Sequence, residues 1–395
     1  MFWKERVEIK ILFTLFLNLK FPTFRMDGQQ MMIRKLGLAI GLIGVTFTAY
    51  AAEKTANKKE CKDSTNSECT SLCFAGPILD CDNDLDVMAA ALYAQVRADA
   101  SEVALRNVDK TSVPIYPDRA IGVEPTEKAS WGFKIGLGWK TGHNDWKVAA
   151  RYTWFRAISD GTYEQSYGGA YIPTAYSNDY VAALDNPDAA VSYANLEAGN
   201  YTWISDLNVY LTRPTLYTSY LEISPYFGID FNLLRRRQTI TFSNDLGTNL
   251  NDGGYIRTYD RNFWWGVGPM AGVASSWLVG YNVSVVAESY LALTYGLSES
   301  YSDTTSFDPD GGDYNYSAVI SNDFYQFSPD LYFQLGLEWA KNFDDDTKAF
   351  AFRIAYENDY YFQVNKTIVN NIRYRKSEMG ALGYQGLVLQ AQFDF

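Results

Sequence analysis

The chain is poor in the residues on which several kinds of chemistry depend. It has one histidine in 395 residues, and Lys and Arg number 34 against 46 Asp and Glu, for a formal net charge of −12. No apolar run approaches the roughly 20 residues of a membrane helix, and the mean hydropathy is −0.22, so any membrane span must be built from strands. An acidic balance argues against a nucleic-acid partner. The one basic cluster, Arg235-Arg236-Arg237, is too small for a phosphate-binding footprint. Acyl transfer by a serine needs a nearby base, most often histidine. The single candidate, His143, falls in an expected turn with Asp145 as its neighbour, and G-x-S-x-G, P-loop and H-E-x-x-H patterns are absent. The chain is therefore read as no enzyme, with no cofactor. Asp344-Asp345-Asp346 reads as a solvated bend, because calcium sites use spaced oxygens.

What the chain does have is strand-forming composition, with 30 Tyr, 23 Phe, 10 Trp and 29 Gly. It ends in strict alternation. Leu387, Leu389, Ala391, Phe393 and Phe395 point one way, and Val388, Gln390, Gln392 and Asp394 the other. A period of two puts one set on each face of a strand, and a barrel in lipid needs an apolar outside and a polar inside.

Near the start, Met31 and Met32 precede Arg34-Lys35, an apolar run from Leu36 to Phe47, and Ala49-Tyr50-Ala51. This pattern reads as a secretory signal peptide over 31–51, with 1–30 as a mis-assigned leader. Segment 52–83 carries all four cysteines, Cys61, Cys69, Cys73 and Cys81. Export to an oxidising compartment points to disulfides. The near-symmetric spacing suits two nested bridges without choosing among the three pairings. Cross-links to envelope proteins stay open, and zinc is disfavoured because C-x₂-C is missing.

Residues 84–395 are expected to form the barrel. In its clearest hairpin, Trp131, Phe133, Ile135, Leu137 and Trp139 alternate with glycines and lysines, and Trp146, Val148, Ala150, Tyr152 and Trp154 answer across a turn. Each tryptophan pair, Trp131 with Trp139 and Trp146 with Trp154, would project to roughly 20 Å along a tilted strand, close to the ~25 Å apolar band between aromatic girdles. Further runs follow the same rule, with a local break expected at Pro225. Short turns are expected near 141–145, 213–219, 277–281 and 342–347. Long loops are expected near 109–127, 159–199, 243–254, 300–321 and 366–379. Their alternation makes ten strands, provided that 84–108 is one strand kinked near Ala98 to Ser101; twelve is the fallback. Short turns would be periplasmic and long loops extracellular.

Three blocks, Trp131-Gly-Phe-Lys-Ile-Gly-Leu-Gly-Trp139, Asn262-Phe-Trp-Trp-Gly-Val-Gly-Pro269 and Gly386-Leu-Val-Leu-Gln-Ala-Gln-Phe-Asp-Phe395, resemble the pore-forming major-outer-membrane-protein family of Legionella and environmental chlamydiae. The resemblance runs in scattered blocks from about Leu92 to Phe395. It implies an abundant, surface-exposed, porin-like barrel with disulfide-capable cysteines and no catalytic residues. The Ala89–Ala94 stretch departs from the pattern by lacking an aromatic pair after Tyr93.

The expected function is passive diffusion of small hydrophilic solutes. The lumen would be lined by Lys134, Lys147, Arg151, Asp206, Glu222, Asp230, Glu288, Asp330, Glu338, Arg353 and Glu357, with an acidic excess that mildly favours cations. In the alternative, inward charges pair into a solid plug and the protein is a structural surface protein or adhesin. Tyr163, Tyr167, Tyr171, Tyr176 and Tyr180 of the longest loop would then either touch other proteins or pack over the mouth. Expected partners are outer-membrane lipid and lipopolysaccharide, the barrel-assembly machinery through Phe395, small solutes, and disulfide-linked envelope proteins or further copies of the chain.

Overall fold

The computed structural model describes residues 85–99, 103–107, 120–125, 127–141, 146–164, 171–173, 195–218, 220–243, 255–307, 316–343, 348–370 and 375–395. The leader, the signal peptide, the four cysteines, His143 with Asp145, and Asp344 to Asp346 lie outside them.

In chain order the strands are β1 (Leu85–Ala98), β2 (Ala104–Asn107), β3 (Ala120–Val123), β4 (Ser130–Lys140), β5 (Lys147–Glu164), β6 (Tyr171–Pro173), β7 (Asn195–Thr212) and β8 (Thr215–Thr218). They continue with β9 (Leu221–Ser243), β10 (Tyr255–Gly280), β11 (Val283–Phe307), β12 (Tyr316–Phe343), β13 (Lys348–Asn370) and β14 (Arg375–Asp394). Ten of these, all but β2, β3, β6 and β8, pair antiparallel with their neighbours. The ring closes where β14 meets β1 and β9 meets β10. β8 is a short flap on β9 at a strand connection. The fold is a closed ten-stranded barrel, as the alternation of short and long connections implies.

Closure fixes the shape. One row of paired residues runs from Asp86 through Gly138, Ala149, Tyr210, Gly228, Met270, Ala292, Asp330, Tyr361 and Leu382, and regains β1 at Ala98. The sheet is thus staggered by 12 residues around the ring, from position 86 to position 98. With the usual strand spacing and rise, that stagger tilts the strands by about 40° and leaves about 20 Å between opposite backbones. The start of β1 and the residue that follows β14 interlock, Leu85 N–H donating to the Phe395 carbonyl at 2.8 Å and Phe395 N–H to the Leu85 carbonyl at 2.9 Å. Both strand termini therefore lie at the rim of short connections.

Alternation decides what each face meets. Trp131, Ile135, Leu137 and Trp139 on β4 point outward, Trp131 at 63% exposure, and Leu387, Leu389 and Phe393 on β14 do the same. Trp146 and Trp154 stand on the same outer face, the first edge-on to Phe227 at 5.8 Å and the second stacked on Phe133 at 5.4 Å. An apolar surface on this scale belongs against hydrocarbon. Inward glycines give neighbouring rings room to lie along the wall. A Cβ at Gly272 would meet Tyr226 Cζ at 2.5 Å, and one at Gly266 would meet Trp264 Cζ2 at 2.6 Å.

Four expectations are corrected. The first segment is not one kinked strand: β1 leaves the barrel at Ala98, and β2 joins a separate sheet with β3 and β6. Strands extend well past the apolar belt on the long-connection side, so the connection between β11 and β12 spans only 308–315 and that between β13 and β14 only 371–374. Pro225 does not break β9. It sits near the strand end, pairs with Val273 in unbroken register, and its carbonyl accepts the Arg213 N–H at 3.4 Å. The third short turn is Tyr281-Asn282 alone, with φ of 52° and 63°, where the sequence pattern puts Tyr281 on the strand face. Two consecutive left-handed residues match the twist of the flanking strands.

Two outcomes are expected in urea unfolding of the folded barrel followed by tryptophan fluorescence. Gly272→Val should cost about 1–3 kcal/mol by forcing Tyr226 off the wall, and an unchanged midpoint would contradict that packing. Tyr281→Asn should stabilise by up to about 1 kcal/mol, because asparagine tolerates the left-handed region better than tyrosine.

Candidate functional site inside the barrel

Every residue of the expected lining set stands on an inward register position. They are layered. At the short-connection rim, Lys147 Nζ donates to Asp86 Oδ2 at 2.6 Å, and Arg353 grips Glu338 Oε2 through Nε at 2.9 Å and Nη2 at 2.7 Å. Gly138 makes the first of these pairs fit, since a Cβ there would collide with Asp86 and Lys147. Glu222 accepts from Ser224 at 2.9 Å, and Gln392 donates to Asp394 at 2.9 Å and Asp86 at 3.4 Å.

The middle layer holds two buried ion pairs set among tyrosines. Lys134 Nζ reaches Glu357 Oε2 at 2.6 Å, and Arg151 Nη1 reaches Glu288 Oε1 at 2.7 Å. Tyr290 and Tyr332 stack with centroids 4.9 Å apart. Lys134 lies 4.8 Å and Arg151 4.9 Å from the Tyr332 ring. Tyr332 and Tyr226 also donate hydroxyl hydrogen bonds to Glu357 and Glu288, both at 3.0 Å. Such desolvated cation-to-ring contacts add to the charge pairing.

Beside these pairs sit four further carboxylates, Asp206, Asp230, Asp330 and Asp359, none more than 1% exposed. Asp206 stands against Asp230, and Asp330 against Asp359. Neutral donors hold some of them. Asn208 and Asn232 donate to the two oxygens of Asp230 at 2.7 and 2.9 Å, and Tyr361 donates to Asp359 at 2.8 Å. Among the described residues Asp330 receives no N–H or hydroxyl donor, so its one hydrogen-bonding neighbour is the Asp359 carboxyl. The two cations of the layer are already matched to glutamates, so the acidic excess of the sequence concentrates at this height. Among the described residues no group of three acidic or sulfur ligands closes around one point as a metal site would.

Toward the long-connection end the wall turns apolar, with Leu92, Val96, Phe155, Ile204, Leu234 and Trp264 in one buried cluster. Beyond it the β2–β3–β6 sheet lies within the mouth. Val103, Ala104 and Tyr171 pack on the inward residues Leu196, Ala198, Ile240 and Phe242. Tyr171 thus packs over the mouth, whereas Tyr167, Tyr176 and Tyr180 lie outside the described residues. This sheet has no counterpart in the sequence reading. Alternation already sets Asp359 on β13, Tyr210 on β7 and Tyr226 on β9 on the inward face, although none belongs to the expected lining set; Tyr290 and Tyr332 were missed, because aromatic residues in a barrel read first as lipid-facing. Filling in the even position between Asp330 and Gln334 on β12 would have found Tyr332.

The arrangement is similar to solved outer-membrane proteins at low identity. The outer membrane protease OmpT of Escherichia coli aligns over 79% of this chain and 96% of its own, with 9% identity and a TM-score of 0.35. A major outer membrane protein of Thermus thermophilus aligns over 80% and 100%, with 11% identity and a TM-score of 0.29. The toluene transporter TodX of Pseudomonas putida aligns over 79% and 89%, with 7% identity and a TM-score of 0.24. No curated protein matches the chain. Residues 80–395, by contrast, match the family described as the Legionella pneumophila major outer membrane protein precursor, a span that takes in all ten barrel strands, and the chain belongs to that family of outer-membrane barrel proteins.

Proposed function

We propose that the barrel is a narrow, porin-like conduit for small hydrophilic solutes, exported to the bacterial outer membrane by its N-terminal signal and weakly selective for cations. The observation that carries this reading is the charge imbalance of the interior. A wall built only to be filled would match its charges or dispense with them, because an unmatched buried charge is costly. Here Asp206 with Asp230 and Asp330 with Asp359 form two contacting carboxyl pairs, each able to share one proton, and the negative charge left on each pair has no cation of its own, since Lys134 and Arg151 are engaged by Glu357 and Glu288. Carboxylate groups of this kind lower the energy of a cation in a confined path and repel anions. The ten-stranded girth, with tyrosines projecting inward, supports a small conductance rather than general diffusion.

A second reading, a surface or bracing protein without an open lumen, is supported by the apolar layer and by the β2–β3–β6 sheet in the mouth. Reconstitution into planar bilayers separates the two. The expected result is a small ohmic conductance whose reversal potential in a KCl gradient has the sign of K⁺ selectivity; electrical silence of a folded barrel would favour the scaffold. Asp230→Asn with Asp359→Asn should move the reversal potential toward zero. An unaltered potential would show that the central carboxylates do not see the permeating ions.

A further inference from the structure

Above the apolar belt, on the long-connection side, the outward face of four adjacent strands changes character. One paired row runs Trp154, Ser205, Leu233, Trp265 and Leu297 across β5, β7, β9, β10 and β11. The next row out brings Arg156, Trp203, Arg235 and Phe263 side by side, and the row beyond it Ile158, Tyr201, Arg237 and Arg261. The guanidiniums lie on rings. Arg156 and Arg237 approach Tyr201 at 5.1 and 5.8 Å, Arg235 is 5.7 Å from Trp203 and 5.6 Å from Phe263, and Arg261 is 5.6 Å from Tyr301. The described ion pairs, Lys134–Glu357, Lys147–Asp86, Arg151–Glu288 and Arg353–Glu338, include none of these four arginines. Arg237 and Arg261 are direct cross-strand partners, an arrangement in which like charges repel unless something negative lies between them.

A groove of about 690 Å³ opens at this place, lined among others by Tyr201, Arg237, Arg257, Tyr255 and Tyr259, with Glu197 as its one carboxylate. Of the other same-face acids, Asp160 and Glu164 stand on β5 opposite Gly199 and Asn195, and Glu299, Asp303 and Asp323 fall on β11 and β12 and border the basic sector on one side. In a chain whose net charge is −12, five arginines on one sector of the outer wall are a local reversal of sign.

We propose that this sector binds the phosphorylated sugar headgroup of an outer-leaflet glycolipid, with its acyl chains lying down the belt beneath. The fit is chemical. Guanidiniums recognise phosphate oxygens in a fork geometry, and rings that carry them from behind pre-orient the fork. The groove has the size of a small-ligand site, and one row, Arg156, Trp203, Arg235 and Phe263, separates its Tyr201–Arg237 edge from the apolar surface at Leu233 and Trp265. A soluble anion would have no use for an apolar surface so near. The proposal rests on the placement of the barrel in the outer membrane with its long connections outside, and it is independent of whether the lumen conducts.

The test uses the full folded chain in non-ionic detergent, with binding of diphosphorylated lipid A read by native mass spectrometry. Chemically dephosphorylated lipid A and inorganic phosphate serve as the other two probes. Wild type should retain diphosphorylated lipid A, and the dephosphorylated form should bind at least tenfold more weakly. Inorganic phosphate at the same concentration should fail to displace the lipid. Arg237→Gln with Arg261→Gln should lose at least tenfold in lipid A binding while keeping wild-type heat-modifiable migration and bilayer conductance, since neither side chain faces the lumen. Equal binding by the double variant, equal binding of the two lipid forms, displacement by inorganic phosphate, or no binding by wild type would each overturn the site. A barrel that conducts without retaining lipid A overturns this proposal alone, and a silent barrel that retains it overturns only the channel.

Discussion

The whole molecule follows from one constraint: a strand in hydrocarbon has no water to satisfy its N–H and C=O groups, so every strand must find two neighbours and the sheet must close. The β14–β1 and β9–β10 ladders are where this is met, and the interlock of Leu85 with Phe395 ties the two ends of the sheet at one rim. Once closed with a stagger of 12 residues, the barrel has a set tilt and girth. Everything else is an answer to what the two faces then meet.

Outside, the answer is uniform over the belt and changes above it. Apolar side chains from every barrel strand face lipid, and at the long-connection end the β5 to β10 sector exchanges them for arginines laid over rings. Inside, the interior is neither a water-filled tube nor an apolar core. It is a stack in which ion pairs at the rim give way to tyrosine-braced pairs and unmatched aspartates, then to an apolar layer, then to a small sheet in the mouth. Inward glycines on β10 make room for this by letting Tyr226 and Trp264 lie against the wall.

Much of this was legible from residue order. Period-two alternation identified the strands, and the alternation of short and long connections counted them. Parity also assigned an inner face to residues from Lys134 to Glu357. Three things were not. The extent of strand beyond the membrane was hidden because polar, solvent-facing strands lack the apolar signal that marks the belt, so residues 300–307 read as loop and are β11. The path of the chain after Ala98 was hidden because β2, β3 and β6 are only three or four residues long, too short for any periodicity. Tyr290 and Tyr332 were hidden, unlike Tyr210 and Tyr226, because an aromatic ring in a barrel suggests lipid first and their place is set only by strand parity.

The sequence by itself determined that strands would span the membrane, which side chains would share a face, and that the inner face would be acidic, since these depend only on neighbours along the chain and on the solvent each face requires. Tertiary structure alone decided which charges meet. Lys134 and Glu357 are 223 positions apart, and Arg151 and Glu288 are 137 apart. Their pairing across the lumen, the four aspartates left beside them, and the arginine rows on the outer wall all depend on the stagger at which the ring closes, a property of the closed sheet that no single strand encodes.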